Sequence, residues 1–382
     1  MKVNRWDPYV KIGNNESSDF FKDFFRDSSK KLLFILGKGF DVRMNNTLQK
    51  LLNENPGLDV QCIVIEFDEG VSAASKKYSH LVEENMRQLE SLLPDEKITK
   101  KSISVFSKTS RKKKKWVGDR TVLSVVSDES ELESYTDVIV DVSALPRSIY
   151  PSLIGKILTL VDSLKTNSFN INFFVSVAEN AKIDSLIVEY GAEQDLNYLY
   201  GFGGQIDLSA EEEKPIIWFP ILGEGKMQHL SLAQAHVIQS HTRPYEICPV
   251  LPFPSKDIRR SDNLSHEYSS WLFDQAKIEA KDIIYVHEQN PFEGYLTLNK
   301  AIRNFNESLQ VLEGCKAVIS TFSSKLLSVG AILTAYELKE EMGVGILNVP
   351  SEGYDISDEN EMKTLNSESE IFLMWLTGDP YN

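Results

Sequence analysis

The apolar run Leu32–Leu36 breaks at once into Gly37, Lys38 and Gly39, and helix-forming sequence resumes at Met44. A strand that turns through glycines into a helix is the opening unit of a parallel α/β sheet, and ligands sit at that junction. The pattern then repeats. Val60–Asp68 reads as a second strand, with the acids Glu66 and Asp68 at its end. Residues 76–93 return to helical spacing.

Further strands are expected at Ser102–Phe106, Val122–Val126, Val138–Val142, Ile171–Val177, Ile216–Ile221, Ile283–Val286, Ala317–Ser320, Gly345–Val349 and Ile371–Leu376. Helical stretches fall at about 228–240, 262–276, 295–312 and 324–341. Strands alternating with helices predict an α/β protein. With 382 residues, two cores are the natural expectation. The expected architecture is two Rossmann-like halves with mostly parallel sheets and helices on both faces. The polar break Lys165–Ser168 marks the expected boundary, giving an N-terminal helical segment (1–30), a first α/β domain (31–165) and a second (170–382). A loose echo supports two halves. Val138–Ala144 leads into a helix containing Gly155, and Ala317–Phe322 leads into one containing Gly330.

Acidic residues number 56 against 41 basic ones, a net charge of −15, which argues against nucleic-acid binding by the surface as a whole. One local exception is Arg111–Lys115 followed by Trp116, in a basic loop near 108–116. Lys112–Lys115 could meet nucleic-acid phosphates while Trp116 stacks on a base; a solvated charged loop is the alternative. No apolar run approaches the roughly 20 residues that span a bilayer, so no membrane association is expected. The N-terminus has no apolar signal-peptide core. Cys62, Cys248 and Cys315 are far apart in or beside apolar segments. They are expected to be buried thiols, which fits a cytoplasmic location. Phe20, Phe21, Phe24 and Phe25 give a short helix one aromatic face. Residues 18–30 should therefore pack on the body of the protein or on a protein partner.

The loops after strands carry the candidate chemistry. Gly37 and Gly39 permit close backbone approach to a ligand, and the helix after them offers unpaired amides. Leu222–Lys226 is a second glycine-containing turn that could cradle an anion. Arg147, Arg259 and Arg260 suit phosphate or carboxylate, although ion pairs to the many acids are equally open to Arg259 and Arg260. Ser323, Ser324 and Lys325 open a helix and can hold an anion or act as a plain cap. His287 and Glu288 follow a buried strand and are the candidates for proton transfer. His229 and His236 read as surface residues, and no metal-ligand spacing is present. These loops would gather on one sheet edge, which points to a small anionic, nucleotide-like ligand. A sensor or assembly subunit without catalysis is the competing outcome.

Leu36–Arg43 resembles the G-x-G-x-D-x-R opening of leucine-carboxyl-type S-adenosylmethionine methyltransferases. That resemblance implies a methyltransferase in which Gly37 and Gly39 line the cofactor's methionine portion, Asp41 belongs to the cofactor site, and Glu66 or Asp68 holds its ribose. The same stretch is similar to the L-G-N-G-F-D opening of AbiH-like phage-abortive-infection proteins, with Lys38 in place of the asparagine. This second resemblance implies a part in prokaryotic antiviral defence.

Overall fold

The computed structural model describes residues 3–68, 74–107, 115–166, 170–203, 206, 214–240 and 244–381. The chain forms two α/β units. The first comprises Pro8–Tyr190 and Glu352–Asn382, the second Met1–Asp7 and Gly191–Ser351.

The first unit contains β1 (Val10–Ile12), β2 (Lys31–Gly37), β3 (Asp59–Asp68), β4 (Ile98–Ser104), β5 (Asp137–Asp141), β6 (Asn172–Glu179) and β7 (Ile187–Tyr190). The second contains β8 (Asn197–Tyr198), β9 (Ile216–Ile221), β10 (Pro244–Ile247), β11 (Val250–Pro252), β12 (Ile284–Val286), β13 (Lys316–Thr321) and β14 (Val344–Asn348). The chain returns to the first unit with β15 (Gly353–Ile356) and β16 (Glu370–Thr377). The principal helices are α1 (Asn14–Phe24), α2 (Asn46–Glu54), α3 (Ser79–Leu92), α4 (Tyr150–Thr166), α5 (Ala181–Leu186), α6 (Met227–Ser240), α7 (Arg260–Glu267), α8 (Pro291–Ser308), α9 (Lys325–Leu338) and α10 (Glu359–Leu365).

The first sheet runs β4-β3-β2-β5-β6-β16-β1, with β4 through β6 mutually parallel and β16 and β1 antiparallel. The second runs β12-β11-β9-β13-β14-β8, with β10 beside β9 and only β8 antiparallel. Counted along the chain, the parallel strands of both sheets read 3-2-1-4-5, the Rossmann order, with β10 and β11, which both pair parallel with β9, taken as one strand. Each fifth strand is then flanked by an antiparallel one. The sequence echo falls on the fourth strand of each sheet, β5 and β13.

Parallel strands covered on both faces are apolar throughout rather than alternating, and β5, β9 and β14 are buried along their whole length. In β2, Leu32, Phe34 and Leu36 join one core with residues of α1, α2 and α3. Leu33 and Ile35 are equally buried and point to the opposite face by strand alternation. In the second unit Trp218, Leu251, Val318 and Leu347 build a core with residues of α6 and α7.

Four expectations need correction. The boundary does not fall at 165–170, because β6 is the fifth strand of the first sheet, in register with β5 from Asp137↔Asn172 to Asp141↔Ser176. The polar break is a helix-to-strand connection, and residues 167–169 lie outside those described. Ile371–Leu376 belongs to the first sheet, where Ile371, Leu373 and Trp375 enter its core. Val122–Val126 is helical turn, not strand, since the buried Val122, Val125 and Val126 stand at i, i+3 and i+4. The expected strand at Ser102–Phe106 begins earlier, at Ile98.

The aromatic face of α1 is interior. Phe20 and Phe24 lie 5.0 Å apart, and Phe24 is 4.8 Å from Trp375 and 5.7 Å from Phe174, centroid to centroid. Residues 18–30 therefore hold their aromatic side chains against their own unit. Phe174→Ala is expected to cost about 3–5 kcal/mol, as fully buried phenylalanines do. Urea unfolding measures this, and a cost below about 1 kcal/mol would contradict the packing role.

Candidate functional site

In an open parallel sheet the ligand crevice lies beyond the carboxyl ends of the strands, where the order reverses. That point is between β2 and β5 in the first unit and between β9 and β13 in the second. Both are tightly closed, the first by the Leu145 side chain and the Ala144 carbonyl, the second by backbone. A Cβ on Gly37 would fall 2.5 Å from Leu145 Cδ2, and one on Gly39 would fall 3.0 Å from the carbonyl oxygen of Ala144. In the second unit a Cβ on Gly223 would collide with the carbonyl oxygen of Phe322 and come 2.8 Å from Ser323 Cα. The glycines after each first strand thus admit the loop after the fourth strand.

Around the first closure the candidate acids already have partners. Asp41 receives Arg43 Nε at 2.9 Å and its terminal nitrogen at 2.7 Å. The same guanidinium reaches Asp184 at 2.7 Å. Burial alone would lower the Arg43 pKa, but Asp184 and Asp41 reverse this and hold the guanidinium charged. Asn85 Nδ2 donates to the carbonyl oxygens of Gly39 and Asp41, each at 2.9 Å. Glu66 accepts from Lys38 at 2.8 Å and from Ser102 at 3.0 Å. The Lys38 bond leads in holding the Glu66 carboxyl below its usual range. Asp68 ends β3, and its side chain lies outside the described residues. Arg147 meets Glu189 at 3.6 Å.

Asp141, at the carboxyl end of β5, is buried. It accepts from the Ser143 amide at 2.8 Å and from Ser176 Oγ at 2.7 Å. Burial raises its pKa, against the opposing hydroxyls of Thr47, Ser143 and Ser176.

The second edge has two parts. Toward β12 lies an ion cluster. Arg260 binds Glu224 through Nε at 2.7 Å and a terminal nitrogen at 2.9 Å, and also pairs with Glu288. Glu288 is buried, and its other oxygen accepts the Lys256 amide at 3.0 Å. Burial opposes the Arg260 charge, but Glu224 and Glu288 outweigh it and raise the pKa. This cluster fastens together the loops after the first three parallel strands. Arg259 is exposed, and its amide donates to Asp257 at 3.0 Å. His287 is half-buried, its Nδ1 accepting from the Gln289 amide at 3.1 Å. In the turn Leu222–Lys226, the amides of Gly225 and Lys226 donate to Glu267 and Tyr268, at 2.8 and 2.9 Å. That turn is braced from within.

Toward β14 the edge is rich in donors. Ser324 caps α9, accepting from the Leu327 amide at 3.3 Å. Ser323 is 4% exposed and Asn348 is 8% exposed; Ser323 Oγ and Asn348 Nδ2 have no hydrogen-bond partner among the described residues. The β13–β14 register, Ile319↔Ile346, carries Thr321 to the level of Asn348, so both side chains belong to one stretch of edge. His229, in the first turn of α6, meets Ser351 Oγ at 2.9 Å. It is buried, a correction to its reading as a surface residue. Lys325 is half-buried at the first position of α9. Ser323, Ser324 and Lys325 thus follow β13 at the same sheet edge at which Asn348 closes β14, and sequence reasoning missed Asn348. The available signal was an asparagine closing an apolar strand.

Of the basic loop, residues 108–114 lie outside those described, including Lys112, Lys113 and Lys114. Lys115 is exposed, and Trp116 packs edge-on against Phe106 at 5.2 Å in the stem beside the loop. The three cysteines are free and buried, with burial raising their thiols to about 12, 12 and 11 in chain order. Among the described residues there is no His, Cys, Asp or Glu cluster able to hold a metal, and no helix long and apolar enough to cross a membrane.

No family model matches the chain. No curated protein matches it. Among solved structures, a universal stress protein from Pseudomonas aeruginosa UCBPP-PA14 aligns at TM-score 0.23 and 9% identity, covering 88% of this chain and 98% of that one. A second, from Archaeoglobus fulgidus DSM 4304, aligns at TM-score 0.22 and 9% identity, covering 82% and 94%. Likenesses at these scores carry no functional argument; the class stands on the strand order, that of an α/β protein with two Rossmann-type sheets.

Two substitutions check the site's anatomy. Gly223→Ala must push the Phe322 carbonyl aside and is expected to cost about 1–3 kcal/mol in urea unfolding. Asp141→Asn tests the buried carboxyl. A folded pKa above the unfolded value of 3.8 means its stabilising effect is fully present below that pH and lost as pH rises through the folded pKa. The variant is therefore expected to be more stable than the parent at pH 7, with the gain shrinking as pH falls toward 4. A gain independent of pH would contradict this.

Proposed function

We propose that this chain binds an anionic, nucleotide-like ligand at the carboxyl edge of its second sheet, with the first turn of α9, Ser323 and Asn348 as donors. The carrying observation is the Ser323 hydroxyl, buried at 4% exposure beside a helix N-terminus without a partner among the described residues. Burying a polar group without a hydrogen bond costs about 1–3 kcal/mol. A helix N-terminus supplies outward amides and a favourable dipole for negative charge. The Asn348 amide adds a second buried donor from the next strand.

Binding is favoured over proton transfer at His287 and Glu288. Glu288 is held by Arg260 and the Lys256 amide, which suits a structural anion better than a base. The methyltransferase reading would need Asp41 and Glu66 to meet a cofactor, and both carboxylates already hold cations of their own unit.

Thermal unfolding with ATP, AMP, S-adenosylmethionine and inorganic phosphate tests the reading. A true ligand at a hundredfold excess over Kd stabilises by about 2.7 kcal/mol. Ser323→Ala is expected to leave the free chain as stable, or to stabilise it by about 1 kcal/mol, because it removes an unpaired buried hydroxyl. It should also weaken the ligand shift. If neither phosphate nor any nucleotide raises the melting temperature, or if Ser323→Ala keeps the full shift, the site is refuted. Stabilisation by S-adenosylmethionine alone would move the ligand to the methyltransferase class.

A further inference from the structure

A second anion site lies at the switch point of the first sheet, occupied by the chain's own carboxylates. Arg43 follows β2 and Arg147 follows β5, so the two guanidinium groups stand on either side of the reversal in strand order. Each meets an acid from the short segment 181–190. Arg43 takes Asp184 at 2.7 Å, and Arg147 takes Glu189 at 3.6 Å. Asp184 also acts on Arg147 through its charge, which puts both arginines in one cluster.

The segment that carries these acids is lightly built. It consists of α5, a helix of 6 residues, and β7, which pairs only with β15. A two-stranded ribbon is marginal by itself. It is fastened by the small core of Val42, Tyr78, Leu81, Ile183 and Met362, by the Tyr78 hydroxyl accepting the Ile356 amide at 2.8 Å, and by the Lys77–Asp355 pair. Its ion pairs are the replaceable part. The Asp184 side chain is 48% exposed and can turn out to solvent, and Arg147–Glu189 is long at 3.6 Å. Asp41 is different: it grips Arg43 through two bonds inside the turn and stays with it.

We propose that Arg43 and Arg147 form a binding site for a phosphate-bearing small molecule, and that Asp184 and Glu189 stand in for its oxygens until it arrives. In the closed cluster two guanidinium groups face the three carboxylates of Asp41, Asp184 and Glu189. A free anion must therefore displace ribbon acids to bind. When it does, Arg43 exchanges one carboxylate for a phosphate oxygen, Arg147 exchanges its distant partner for a close one, and the ribbon is left to its small core, the Tyr78–Ile356 bond and the Lys77–Asp355 pair.

The experiment is calorimetric titration of the full chain with inorganic pyrophosphate. The parent and all variants carry Ser323→Ala, so that any remaining binding at the second sheet is weakened and common to every arm. Asp184→Asn with Glu189→Gln is expected to tighten pyrophosphate binding by about tenfold, since two internal competitors are gone. Arg147→Ala on that background is expected to abolish the gain. Asp184→Asn alone, at a half-exposed position that tolerates the change, should shift affinity in the same direction. The site is overturned if the neutralised chain, folded by circular dichroism, binds pyrophosphate no more tightly than its parent. It is equally overturned if the gain survives Arg147→Ala.

Discussion

Both sheets are organised by one close approach, the backbone of the loop after the fourth strand lying against a glycine after the first. Gly37 and Gly39 receive Leu145 and Ala144; Gly223 receives Phe322 and Ser323. Glycine is needed because any Cβ at Gly223 would meet a backbone carbonyl that cannot swing away. The contact fixes where each following helix begins. It also fills the gap in which a Rossmann-type sheet would otherwise admit a ligand's backbone. Whatever binds at these edges must do so through side chains and helix ends around the closure, not through the glycine turn itself.

The two edges differ in what their polar groups do once closed. In the first unit every described carboxylate of the candidate set that has a determined partner meets a cation. Asp41 is held by Arg43, and Glu66 by Lys38. In the second unit the Arg260 cluster is satisfied in the same way, but the stretch at Ser323 and Asn348 is not. A fold tolerates unsatisfied buried donors only at a cost, and such groups concentrate where another molecule completes them. Buried polar atoms without a partner among the described residues occur in the first unit too, at Asn45 and Thr47; what sets the second edge apart is that Ser323 and Asn348 can donate beside a helix N-terminus.

Much of the fold was legible because parallel strands buried on both faces are apolar throughout. β2, β3, β5, β9, β13 and β14 could be read to within a residue or two at most ends. The failures have specific causes. Val122–Val126 is rich in β-branched residues, but its buried positions follow helical spacing. Val250–Pro252 was missed because the strand is three residues long and bounded by prolines. The assignment of Ile371–Leu376 to the first sheet depends on long-range antiparallel pairing, on which local pattern is silent. At the site, residue types were easier to read than their partners. Arg260 was visible as a candidate anion ligand, yet only folding brings it to Glu224 and Glu288 from loops 36 and 28 residues away. Ser323 and Ser324 looked interchangeable in sequence. In the fold Ser324 is the cap and Ser323 the buried hydroxyl, a division set by where α9 starts.

That division bears on chemistry. The cap's oxygen already accepts from the helix, which fixes the position of its hydroxyl. A hydroxyl one residue earlier can donate outward while the helix amides point the same way. Together with Asn348 it makes a donor set without a carboxylate among the residues that define it, so a cationic group would find no opposite charge among them. Glu288 is tied up elsewhere on this edge, one oxygen paired with Arg260 and the other accepting the Lys256 amide. Recognition of negative charge needs only what the fold has already placed: fixed dipoles, buried donors and a backbone too tightly packed to reorganise.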